Sequence, residues 1–285
     1  MVWEEEVKIV KQLYDRTYYG KLNRLNVIGN NAYRERQRLH AIERLCRPEP
    51  VDDVLELGCG TGHYTRWLAA RVRTVTGVDF SDAAVEKARS LAMPDNMQYA
   101  VADIRSLGLF PDHRFDKIVA IDVLEHLSDT DLADTLTEVR RLLKTHGVFV
   151  FFTPCRTHWL ERIKNRNILL RQTAGHIGVR TEMEYFHIFH QLGFIVKDIV
   201  RYETCIPLWR MIERKMKDRS STRGFFVSRL GAAVVCRQTE TAEASTFPET
   251  GVSSSNQGSA IGEPDRQAIR KTREAMEAHQ DGVIE

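Results

Sequence analysis

The chain is poor in cysteine, and none of its cysteines is arranged for a framework. Cys46, Cys59, Cys155, Cys205 and Cys236 are odd in number, scattered, and never form a C-x-x-C pair. That speaks against a disulfide scaffold and a cysteine-rich zinc site, and a reducing, cytoplasmic location is expected. No stretch approaches the ~18 uninterrupted apolar residues of a membrane span. The amino-terminal MVWEEEVKIV is acidic and lacks the apolar core of a signal peptide. Net charge is also nearly absent, +2 over 285 residues, so overall charge predicts neither a nucleic acid nor an acidic ligand. No internal repeat is visible. What is present is a hydrophobic fraction of 42%, enough for one α/β domain with extensions or two small domains.

The first fifty residues have helical spacing, through Val7, Ile9, Val10, Leu13 and Tyr14, and again through Leu39, Ile42 and Leu45. Pro48 and Pro50 stop that run. An alternation follows. VDDVLEL, TVTGVDF, MQYAVA, FDKIVAID and GVFVFFT read as strands, the last ending at Pro154. HYTRWLAARV, Asp82–Leu91 with Ser81 as N-cap, and Thr130–Leu143 read as helices. Near-continuous apolar strands separated by helices imply right-handed crossovers and a parallel sheet covered on both faces. Past Pro154 the rhythm breaks at residues 156–180, which carry six Arg or Lys against one Glu. It resumes with the helix TEMEYFHIFHQLG, stopped by Gly193, and the strand FIVKDIVRY. A second basic insert spans 207–224, and FVSRLGAAVVCR reads as the final strand. Residues 238–285 have almost no large apolar side chains, and a disordered polar tail is expected there. The expected organisation is a helical cap over 1–50, an α/β domain over 51–237 with both inserts, and the tail.

Three glycines, Gly58, Gly60 and Gly62, stand between the first strand and its helix. A dinucleotide fingerprint, G-x-G-x-x-G, needs its third glycine at position 63, where this chain has His63. A triphosphate loop needs G-K-[ST], and no lysine is here. The pattern is an acid, Glu56, followed by G-x-G-x-G. It resembles the first motif of the class I S-adenosylmethionine-dependent methyltransferases. That resemblance implies a doubly wound, mostly parallel seven-stranded sheet whose last strand is antiparallel, preceded by N-terminal helices.

The other strand ends agree with it. Asp79 ends the second strand, where a carboxylate can accept both ribose hydroxyls, and Phe80 can pack on the adenine. The resemblance implies an acid after the third strand that contacts the adenine amino group, here Asp103, with Ala102 and Ile104 beside the ring. Asp122 ends the fourth strand after Ile121, and Leu124-Glu125-His126 resembles the family's E-H pair. Glu56, Gly58, Cys59, Gly60, Gly62 and Ile121 complete the expected cofactor-binding set. In related families N-terminal helices close over the methionine end, where Tyr18, Tyr19, Arg34 and Arg38 are available. Arg38 is the candidate partner of the cofactor carboxylate, because arginine pairs carboxylates in a bidentate fork.

Methyl transfer is an in-line displacement that needs alignment and water exclusion, with a general base for some acceptors. His126 and His176 are the candidate bases by position. His158, His176 and His187 also read as surface or core histidines. His187 and His190 share a helical face but have no evident third ligand, so no metal is expected. An N-P-P-[YFW]-like base-gripping loop is missing after the fourth strand, which disfavours a nucleic-acid amino-methyltransferase. The motifs are most similar to the small-molecule group that includes the ubiquinone-biosynthesis O-methyltransferases. A small-molecule or lipid-like acceptor is therefore expected. Apolar residues among the cations of both inserts also suit an anionic membrane surface. An RNA or protein methyltransferase that uses those inserts, and a non-catalytic cofactor-binding module, are the alternatives.

Overall fold

A computed structural model describes residues 30–165, 175–217, 219 and 223–237. The predicted Val7–Tyr14 helix, Tyr18, Tyr19, the middle of the first basic insert and the polar tail lie outside the described residues.

The sheet is built from β1 (Asp53–Leu57), β2 (Thr74–Asp79), β3 (Met97–Val101), β4 (Phe115–Ile121), β5 (Leu143–Pro154), β6 (Phe194–Tyr202) and β7 (Arg229–Cys236). Its order is β3-β2-β1-β4-β5-β7-β6. β1 to β5 are parallel, and β7 runs antiparallel to both β5 and β6. This is the doubly wound sheet expected, with its antiparallel last strand. Every residue of β1 is buried, as a central strand covered on both faces requires.

The helices are bounded by local capping chemistry, at Ser81 and Gly193 as predicted. Gly62 precedes α2 (His63–Ala69) in a left-handed conformation. Ser81 caps α3 (Asp82–Arg89) by accepting the Ala84 amide. Ser128 caps α4 (Asp129–Leu142), and Thr181 with Glu184 forms a capping box on α6 (Glu182–Gln191). Gly193, at φ +80°, ends that segment. One residue differs from expectation. Leu143, expected in a helix, opens β5, because it pairs with Phe115 across the sheet. The second basic insert begins as a regular helix, α7 (Pro207–Met216), with proline in its first turn. The short α5 (Trp159–Asn165) lies in the first basic insert, and the short α8 (Arg223–Phe226) follows α7 in the chain.

The amino-terminal helix α1 (Asn30–Ala41) runs into a π-helical turn over Ile42–Cys46. Ala41, Ile42, Leu45 and Cys46 enter the core that lies on one face of the sheet, with Val54, Val75, Val119, Val150 and Ala233. Burial of Ile42 and Leu45 contributes about 1.5–3 kcal/mol each. That packing places the polar face of α1 beside the carboxyl ends of β1 and β4.

Candidate active site

Strand order reverses between β1 and β4, since β1 connects outward through β2 and β3 while β4 leads to β5. In open α/β sheets such a switch point leaves a crevice beyond the carboxyl ends of the strands, where ligands bind. Gly58 and Gly60 after β1, Phe80 after β2, Ala102, Asp103 and Ile104 after β3, and Asp122 and Val123 after β4 are all partly exposed along this edge.

The glycine loop is held by backbone geometry. Gly58 has φ +66°, and a Cβ there would lie 2.6 Å from Val123 Cγ2. Gly62 has φ +76°, and a Cβ there would collide with the Tyr99 ring. Both positions therefore exclude other residues by conformation and by space. Cys59 is buried and its amide donates to the Val78 carbonyl at 2.9 Å, which stitches the loop to β2.

Asp79 closes the loop from the other side. Its carboxylate accepts the Gly60 amide at 2.8 Å and the Ser81 amide at 2.9 Å. Burial raises its pKa, and those two amides act against the shift. Glu56 lies deeper, 1% exposed, and accepts the Thr65 hydroxyl of α2. Burial pushes its carboxyl up to about 8. Asp103 is half-exposed and engaged by the Arg105 guanidinium and by the Arg105 amide at 3.0 Å. Arg105, which the sequence reading did not single out, also reaches Asp131 at 2.6 Å. Ala102 donates its amide to the Asp79 carbonyl at 3.0 Å, so the ends of β2 and β3 are tied together.

Arg38 meets another predicted site residue. Its Nε donates to Asp122 Oδ2 at 2.6 Å, and its terminal nitrogen lies 3.6 Å from Glu35. Glu35 in turn accepts Tyr64 at 3.0 Å and pairs with His63 at 2.7 Å. The side chain standing where a dinucleotide loop has glycine thus ties α2 to α1. Asp122 has φ +53°, a strained value for a residue with a side chain, and its Oδ1 is buried without a hydrogen-bond partner among the described residues. Burial opposes its charge, but Arg38 and Arg229 hold its carboxyl below the ordinary value.

His126 and His176 come together although they lie far apart in the chain. Their rings stack edge to face with centroids 4.9 Å apart. The segment that carries His176 is pinned onto the turn after β4. Gly178 donates its amide to the Glu125 carbonyl at 2.9 Å, and Arg180 donates to Asp129 at 2.8 Å and to the Leu127 carbonyl at 2.9 Å. Burial lowers the pKa of both histidines, that of His176 to about 4. Glu125, buried beside them, is pushed up to about 8 by burial and by the charge of Asp122. His187 and His190 sit exposed on α6. His158 is buried and bonded to Glu213 at 3.0 Å.

Residues 54–147 match the family model described as a methyltransferase domain. Those residues form a methyltransferase domain, in a sheet with the fold of the class I methyltransferases. The chain is 37% identical over 141 residues to a trans-aconitate 2-methyltransferase of Escherichia coli O7:K1, covering 47% of this chain and 50% of that protein. It is 33% identical over 102 residues to a ubiquinone biosynthesis O-methyltransferase of Alkalilimnicola ehrlichii, covering 35% of this chain and 40% of that one. The chain thus spans half or less of the length of these two relatives. The solved geranyl diphosphate C-methyltransferase of Streptomyces coelicolor A3(2) shares the fold, with a TM-score of 0.53 and 18% identity, over 70% of this chain and 80% of that one. The methyltransferase domain's glycine loop and all strand ends from β1 to β4 fall inside the matched residues.

Proposed function

We propose that this methyltransferase domain transfers a methyl group from S-adenosylmethionine to an oxygen of a small-molecule or lipid-like acceptor. The observation that carries the reading is the Asp79 carboxylate, which holds the Gly60 amide at the switch point of the sheet. The residues present fit the cofactor. Gly58 and Gly62 admit no side chain, so backbone forms the loop wall. Asp79 retains acceptor capacity for a ribose, and Phe80, Ala102 and Ile104 offer apolar surface for an adenine, with Asp103 beside it. Cys59 and Ile121 pack beneath. Arg38 and Asp122 form a polar pair on the methionine side.

S-adenosylmethionine supplies, when bound, an electrophilic methyl on a sulfonium with a good leaving group. The chain's part is to hold both reactants in line and exclude water. α1 performs the second task, because Arg38, Glu35, His63 and Tyr64 tie it across the mouth of the loop. His126 and His176 face the acceptor side. Their lowered pKa values make each ring a weaker base than an ordinary histidine.

A lipid-like acceptor is supported by α7. Leu208 and Met211 are 75% and 69% exposed beside the exposed cation Lys215. An apolar stripe among cations suits the surface of an anionic membrane. Flotation with anionic vesicles, compared between the wild type and Met211→Glu, tests this contact. Equal flotation of the two would reject it.

The activity is tested by calorimetric titration with S-adenosylmethionine, followed by transfer of labelled methyl into cell extract and identification of the product. Saturable binding and a labelled small molecule are expected. Absence of binding would refute the reading. Label found only in RNA or protein would refute the acceptor class, and binding without transfer would point to a non-catalytic module.

A further inference from the structure

Glu125 and His126 stand on the 3-10 turn after β4, and His176 stands some fifty residues later on the segment before α6. One ligand atom from each lies within 4.8 Å of the others. We propose that these three residues hold a divalent transition-metal cation such as Zn2+ or Mn2+, whose open positions take an oxygen of the methyl acceptor. The acceptor's part rests on the methyl-transfer reading above. The cation site itself does not.

The arrangement around the three side chains is that of a built ligand set. The Nδ1 of His126 lies 2.8 Å from the Gly175 carbonyl, which can only accept, so Nδ1 carries the proton and Nε2 the lone pair. Metal-binding histidines commonly donate their second ring N–H to a backbone carbonyl in this way. Gly175, at φ +85°, directly precedes His176, so one short segment both orients the first imidazole and delivers the second. The Nδ1 of His176 is buried and has no hydrogen-bond partner among the described residues. Buried polar nitrogens are rarely left so, and a cation would satisfy it. The Glu125 carboxylate is oriented from behind by the Thr153 hydroxyl at 3.1 Å.

The set is also rigid. A Cβ at Gly178 would strike the Leu127 carbonyl, and Arg180 bonds the carbonyls of Gly178 and Leu127. His176 is therefore held against the turn that carries the other two ligands. Asp122, three residues before Glu125, has a buried carboxylate oxygen, Oδ1, that like His176 Nδ1 has no hydrogen-bond partner among the described residues. The nearby cation Arg229 lies 4.0 Å from Glu161. Two imidazoles with one carboxylate favour zinc, manganese or iron over magnesium or calcium, and three protein ligands leave positions open for an exogenous oxygen.

The test uses the full chain, stripped with a chelator and then titrated with Zn2+ and with Mn2+ by calorimetry. One cation per chain is expected. His126→Asn and His176→Asn should each weaken it by at least about tenfold, while His187→Asn should leave it unchanged. Electron spin-echo spectra of the Mn2+-loaded wild type should show coupling to imidazole nitrogen, a readout that needs no variant to fold. No stoichiometric uptake of either cation, undiminished uptake in both variants, or a Mn2+ spectrum without nitrogen coupling would each overturn the site. S-adenosylmethionine affinity, measured on the same samples, separates the two readings. Its absence alongside cation uptake would fell the methyl-transfer reading and leave the cation site standing.

Discussion

Arg38 of α1 reaches Asp122 at the end of β4 across 84 residues of chain, with its Nε 2.6 Å from the carboxylate. The pair fastens the amino-terminal helix over the switch point of the sheet. It also lowers the pKa of the Asp122 carboxyl against the opposing effect of burial.

Removing either partner leaves the other charge partly buried. Both side chains are 25% exposed, so the cost falls below that of a fully buried pair. Denaturant unfolding of Arg38→Met, Asp122→Asn and the double variant should give a coupling energy of about 1–3 kcal/mol. Additive effects of the two substitutions would mean that the contact contributes nothing.

Asp79→Asn keeps the shape of the side chain but loses the charge and one acceptor. The Gly60 amide would lose a charged partner, and a ribose would lose part of its site. Hydrogen bonds to charged groups are worth about 1.5–3 kcal/mol, so affinity for S-adenosylmethionine should fall about 10- to 100-fold. Calorimetry that returned the wild-type affinity would remove Asp79 from the cofactor site.

Gly62→Ala should destabilise by at least about 2 kcal/mol, from the left-handed backbone and the overlap with Tyr99 together. Gly108→Ala is the control, because a Cβ there meets nothing within 4 Å. It should stay within about 0.5 kcal/mol of the wild type. Thermal unfolding checks both, and similar shifts for the two variants would contradict the geometry.

Glu56 links stability to pH. Its carboxyl is pushed up to about 8 in the folded chain, against an ordinary 4.5 when unfolded. Between those values the folded chain keeps a proton that the unfolded chain has lost. Stability is therefore highest below the window and falls as pH rises through it. Glu125 has the same sign, so Glu56→Gln should make the slope shallower without abolishing it. Melting temperatures of the ligand-free protein from pH 5 to 8 measure this. Parallel curves for wild type and variant would show that Glu56 is not the linked group.

The alternation of strands and helices from β1 to β5 was legible in the sequence, because hydrophobic period and capping are local. Ser81, Gly193 and the FIVKDIVRY strand each declare themselves within a few residues. The glycine loop was legible for the same reason, since a left-handed backbone admits few residue types.

The side-chain partnerships belong to tertiary structure. Nothing near Arg38 in the chain names Asp122, and nothing near His126 names His176. Arg105 on Asp131, and Thr65 on Glu56, are likewise set by where loops and helices come to rest. Local pattern in the chain is enough to specify a doubly wound sheet with a backbone-lined loop and acids at its strand ends. Only the fold decided which of those acids face the crevice, which lie beneath it, and which histidines meet. Such contacts depend on segments distant in the chain being locked together, as Arg180 and Gly178 lock residues 175–180 onto the turn after β4.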